Sequence, residues 1–131
     1  MVVVGEPLFT NDALDVAATL MPYLRRIRDK ANGIEPEELK RMLRDGEATL
    51  HPIGEEGYII ASWSPTQMFV ISAAAFTLKC TNLTQHISAA IDYAKQHNCS
   101  TIAFRSSRKA WQKIGTEQGF TQEDSLFTKE I

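Results

Sequence analysis

The sequence predicts a single α/β (α+β) domain built on a mainly antiparallel sheet. Three observations carry that prediction. Apolar residues recur at three- and four-residue steps around positions 13–31 and 83–94, the spacing of amphipathic helices. Between them, positions 47–76 change to short β-type runs joined by turn residues too few for a parallel crossover. The 131 residues, 44% hydrophobic and 23% charged, suffice to close one core without disulfides or metal.

The elements follow in order. Val2, Val3 and Val4, ahead of Gly5 and Pro7, form a short β-type run. Thr10, Asn11 and Asp12 offer N-cap chemistry for a first helix, whose stripe is Ala13, Val16, Ala17, Leu20, Leu24, Ile27 and Ala31. Arg25, Arg26, Arg28 and Lys30 crowd its C-terminal turns, where cations complement the helix dipole. Pro22 should kink or interrupt it, and Asn32-Gly33 should stop it. A second helix begins at Pro36, with Glu37 and Glu38 in its first turn, Arg41 and Arg44 near its end, and Gly46 just beyond.

Positions 48–53, 58–63 and 67–75 then read as a three-stranded meander. Asn82 and Gln85 mark the start of a third helix, with Leu83, Ile87, Ala90, Ile91 and Ala94 as its apolar stripe. Positions 100–104 read as a strand, and Ser107 as the cap of a short helix carrying Ala110, Trp111 and Ile114. Gly119-Phe120 opens one last strand ending near Ile131, whose exposed edge is a candidate surface for a homo-oligomer.

Several function classes are disfavoured by composition. Fourteen basic and sixteen acidic residues give a net charge of -2, which supplies no drive toward nucleic acid. The longest apolar run, 68–76, is far short of the roughly 20 residues that span a bilayer. No basic leader precedes Val2, so a cytoplasmic protein with free thiols at Cys80 and Cys99 is expected. His51, His86 and His97 show no ligand spacing with those cysteines, and no metal site is expected.

The element order, with a long helix after the meander and a closing strand, helix, strand unit, resembles the GNAT superfamily of acyl-CoA-dependent N-acyltransferases. More narrowly, Ala89-Ala90-Ile91-Asp92-Tyr93-Ala94-Lys95-Gln96-His97-Asn98-Cys99, then Thr101-Ile102-Ala103-Phe104, Arg108-Lys109-Ala110-Trp111 and Gly119-Phe120, is similar to small phage-encoded GNAT-like proteins, some of them virion-associated. The resemblance implies a GNAT-like mixed sheet with helices on both faces.

It also implies an acetyl-CoA site after the third meander strand, where a glycine-rich loop holds pyrophosphate on backbone amides and a helix N-terminus. Here that loop reads Thr77-Leu78-Lys79-Cys80-Thr81-Asn82 and has no glycine. Lys79, Thr81 and Asn82 are the cofactor-binding candidates it offers, joined by Arg105 and Arg108 after the next strand. Many family members place a tyrosine acid where this sequence has Gly115. His51 is the one titratable residue of suitable pKa in the meander and the weak candidate for a base, although a lone strand histidine is more often structural. The resulting expectation is a pseudoenzyme that acts through protein contacts, as a virion-associated or accessory factor in the host cytoplasm or virion. The alternative is an active N-acetyltransferase using acetyl-CoA.

Overall fold

A computed structural model describes residues 3–26, 34–54, 57–75 and 83–131. Helices α1 (Thr10–Arg26) and α2 (Pro36–Arg44) come first, followed by strands β1 (Thr49–Ile53), β2 (Gly57–Trp63) and β3 (Gln67–Ala75). Helix α3 (Leu83–Gln96), β4 (Thr101–Arg105), α4 (Lys109–Glu117), β5 (Thr121–Glu123) and β6 (Leu126–Glu130) complete the chain. The strands form one six-stranded sheet in the order β1-β2-β3-β4-β6-β5. Every neighbouring pair is antiparallel except β3 and β4, which are parallel and joined through α3.

Alternation along the strands sends side chains to two separate cores. On one face Ile53, Ile59, Ala61, Met68, Val70, Ile102, Phe104 and Phe127 pack under α3 and α4. On the other, Leu50, Ile60 and Ile71 pack under α1 and α2, which contribute Ala13, Ala17, Leu20, Leu39 and Leu43. The expected mixed, mainly antiparallel sheet with helices on both faces is therefore the observed architecture. In α3 the predicted stripe residues Ile87, Ala90, Ile91 and Ala94 are all buried, and Asn98 ends the following turn in the left-handed region at φ 60°.

The start and stop signals of α2 act as the sequence indicates. Pro36 occupies the first turn, where its missing N–H costs no hydrogen bond, and Gly46 follows the helix at φ 76°. Arg25 and Glu37 form an ion pair at 2.6 Å between α1 and α2, but both are more than half exposed, so water screens it.

Five sequence expectations need correction or limit. The first β-type run reduces to one isolated bridge, Val4 with Ile53, and Val2 lies outside the described residues. Pro22 does not end α1, which runs on to Arg26 while Ala17 and Leu20 stay fully buried against the sheet. Ile27, Arg28, Lys30, Ala31 and Asn32-Gly33 lie outside the described residues. Arg108, and not Ser107, is the residue at the N-cap of α4, and its amide donates to Ser106 Oγ at 3.1 Å. Finally, the last strand is a hairpin. Asp124 takes φ 54°, a conformation its short polar side chain tolerates, and turns the chain between β5 and β6. The sheet edge is consequently the three-residue β5, while β6 lies inside between β4 and β5.

Candidate functional site: a wedge between parallel strands

Strands β3 and β4 start together and then separate. Their parallel register runs Gln67↔Thr101, Met68↔Ile102, Phe69↔Ala103 and Val70↔Phe104, and goes no further. Past that point β3 stays with β2, from Ile60↔Ser72 to Gly57↔Ala75. Strand β4 stays with β6 through Arg105↔Leu126, and the Ser106 amide continues the ladder to the Ser125 carbonyl at 3.0 Å. The register shift at Ile60/Ala61, opposite Ile71, falls where the two strands part, and a bulge there increases local twist and bend. The result is a wedge between β3 and β4 past Val70 and Phe104.

Because β3 and β4 are parallel, the segments that follow them leave from the same end of the sheet. In open sheets this end, at a point where the chain order reverses, is where ligands bind. Residues 76–82, which link β3 to α3, lie outside the described residues, and with them the candidates Lys79, Thr81 and Asn82. Strand β4 ends at the exposed Arg105, and the exposed Arg108 and Lys109 follow, with Lys109 the first residue of α4. Arg105 thus ends β4 just past the point where it parts from β3, and Arg108 is the N-cap residue of α4.

Gly115, at the position of the family's tyrosine acid, faces the core. A Cβ there would lie 2.7 Å from Phe127 Cδ2 and 3.2 Å from Phe104 Cζ. Phe104 and Phe127 stack with ring centroids 4.9 Å apart, Phe120 meets Phe104 edge-on at 5.1 Å, and Trp111 packs at 5.6 Å from Phe104. Trp111 is therefore a half-buried wall of this aromatic stack.

His51 lies in β1, separated from β3 by β2, and is 1% exposed. Its Nδ1 is 3.0 Å from the Gly5 carbonyl oxygen, and its Nε2 is 2.7 Å from Thr49 Oγ1, which also accepts the Trp63 indole N–H at 2.7 Å. The Tyr93 ring meets the imidazole edge-on at 5.0 Å, and His97 stacks beyond Tyr93 at 4.2 Å. Burial pushes the His51 pKa below the usual 6.5, against the opposing pull of the Gly5 carbonyl and Glu6. With both ring nitrogens engaged and buried, the imidazole has no lone pair to offer a substrate in this arrangement. The sequence reading missed this network, and its one local trace was the placement of Thr49 and His51 on the same strand face.

No protein-family model matches the sequence, and no curated protein matches it. Solved structures match the fold throughout. The ribosomal-protein-S18-alanine N-acetyltransferase of Escherichia coli superposes with a TM-score of 0.68 at 14% identity, over 100% of this chain and 94% of that one. A GNAT-family acetyltransferase from Brucella melitensis, solved with acetyl-CoA, gives 0.68 at 10% identity, over 100% and 88%. A Bacillus subtilis acetyltransferase in complex with CoA gives 0.65 at 12% identity, over 99% and 97%. The chain has the fold of the GNAT acetyltransferases. At these identities the likeness speaks for architecture, and function rests on the site itself.

Proposed function

We propose that the protein binds acetyl-CoA in the wedge between β3 and β4 and transfers its acetyl group to an amine. The observation that carries this reading is the parting of β3 and β4: past Val70 and Phe104, β3 continues along β2 and β4 along β6. An amide-containing chain such as the pantetheine arm suits a cleft between parted strands, where backbone groups hydrogen-bond it as they do an added strand. On this reading Arg105 and Arg108, at and after the end of β4, hold the phosphates, together with Lys79, Thr81 and Asn82 of the segment after β3. Two of the matched proteins were solved with CoA or acetyl-CoA, which supports the reading.

In such a transfer the amine nitrogen attacks the thioester carbonyl, the C–S bond breaks, and the amine loses a proton to water. Backbone N–H groups near residues 70–73 would polarise the carbonyl, so that catalysis is largely positioning. A thiol with a pKa near 8.5 leaves readily as thiolate, so the lack of a tyrosine at Gly115 does not forbid the step.

Two observations favour a second reading. Gly115 packs so tightly on Phe127 that no acid can occupy its place, and the 77–82 loop has no glycine. On this reading the protein keeps the fold for contacts with a protein partner; its phage-type, accessory or virion-associated setting comes from the sequence resemblance alone. The three polar residues of edge strand β5 offer little to a homo-oligomer. Calorimetric titration with acetyl-CoA separates the two readings. Micromolar binding, weakened in an Arg105→Ala/Arg108→Ala double variant and followed by thiol release with an amine acceptor, establishes the transferase. No heat at millimolar acetyl-CoA removes it and leaves the contact role.

A further inference from the structure

Helices α2 and α4 begin with opposite charges. In α2 the first turn carries Glu37 and Glu38 and the last carries Arg41 and Arg44, the order that the helix dipole favours. In α4 the order is reversed. Arg108 is the N-cap residue, Lys109 opens the helix, the first turn has no acid, and Glu117 closes it. Cations at a helix N-terminus stand against the dipole, so this arrangement works against the stability of α4. A local preference broken in this way marks a surface on which function outweighs stability.

Lys113 extends the charge by one turn. It stands four residues after Lys109 on the exposed side of α4, while Ile114 and Gly115 face the core and Trp111 packs on Phe104. Its side chain is 78% exposed, and Glu117 lies 3.9 Å away, at the long end of the ion-pair range, so water screens the pair. From 105 to 116 the sequence has four cations and no carboxylate, in a chain whose net charge is -2. This basic face begins just after β4 ends, at the end of the sheet where β3 and β4 have parted.

The segment after β3 adds a second constraint. Positions 77–82 have no glycine, the residue that lets backbone amides close on a pyrophosphate. Coenzyme A brings a pyrophosphate and an adenosine phosphate to its site. The same pantetheine arm borne on a carrier protein brings a single phosphodiester, and the remaining negative charge lies on the carrier's own surface. A donor of that kind asks less of the loop and more of a basic face beside the wedge.

Building on the reading that the wedge takes a pantetheine arm, we propose that the better donor is an acetyl group carried on the phosphopantetheine arm of an acidic carrier protein. The carrier docks on Arg108, Lys109 and Lys113, and its arm enters between β3 and β4. The acceptor amine attacks the thioester carbonyl, a C–N bond forms as the C–S bond breaks, the carrier keeps the thiolate, and the amine proton goes to water. Opposite charges across such an interface speed encounter and fix its register, and salt weakens them.

The test is calorimetric titration with an acidic acyl carrier protein bearing the acetylated arm, with the same carrier lacking the arm, and with acetyl-CoA. At about 50 mM salt the acetylated carrier should bind about tenfold more tightly than acetyl-CoA, and most of that margin should be lost at about 300 mM. Removing the arm should weaken the carrier about tenfold, because only the docking face then holds it. Lys113→Glu should weaken the acetylated carrier about fivefold and leave acetyl-CoA within about twofold. Acetyl-CoA bound as tightly as the acetylated carrier, or carrier binding indifferent to Lys113→Glu, overturns the carrier proposal and leaves the wedge reading in place. Equal binding of the carrier with and without its arm overturns it as well. Binding of neither donor overturns both.

Discussion

The first four residues of β3 and its last five differ in what holds them. Residues 67–70 have β2 on one side and β4 on the other, and Met68 and Val70 are buried beneath α3 and α4. Residues 72–75 pair with β2 and lie past the end of the β4 register. The closed side beyond β4 is the opposite case, where Phe104, Phe120 and Phe127 stack and Gly115 admits them by lacking a side chain. The difference teaches how one sheet combines a closed side and a parted one. The aromatic side is packed so tightly that a methyl is resisted, while on the wedge side two parallel strands part after four residues.

Substitutions can break that contrast, and the largest effect is expected in the stack. Phe127→Ala removes a fully buried ring and should lower unfolding free energy by about 3–5 kcal/mol, measured by urea denaturation. Gly115→Val overpacks the same site and should cost about 1–3 kcal/mol in the same assay. A neutral result there would mean that α4 shifts freely, and that the closed side is less rigid than its contacts imply. Thr49→Val, in the buried polar network of β1 and β2, orphans the Trp63 indole N–H and the His51 Nε2. It should cost about 1–3 kcal/mol, with Thr49→Ser recovering most of it. The smallest change in stability should come at the wedge mouth. Arg105→Ala/Arg108→Ala should stay within about 0.5 kcal/mol of the parent, yet weaken acetyl-CoA about tenfold by calorimetry. A double variant that loses stability but keeps affinity would place the two arginines on the structural side of the contrast.

Much of the architecture was legible because its signals are local. Pro36, the early glutamates, the late arginines and Gly46 bounded α2 within the residues that form it. The connections at 54–57 and 64–66 were too short for anything but antiparallel neighbours, and the meander followed. The closing hairpin was missed although Asp124-Ser125 carried a turn signal, because β5 is three polar residues with no apolar alternation to mark a strand of its own. Of the candidate site, Arg105 and Arg108 could be picked out as cations following a strand, since a strand and its trailing loop are contiguous in sequence.

The sequence by itself determined which segments are helix or strand and which of their faces are apolar, since both follow from the spacing of neighbouring side chains and from caps and turns. It also determined the charge at the mouth, Arg105 and Arg108. Only the tertiary structure decided that β3 and β4 part after Val70 and Phe104, because pairing and register depend on residues more than thirty positions apart. The same holds for His51, whose two partners differ entirely in sequence distance. Thr49 is two residues away and Gly5 is forty-six, and the fold alone brings that carbonyl to the ring and turns a candidate base into a tie between segments.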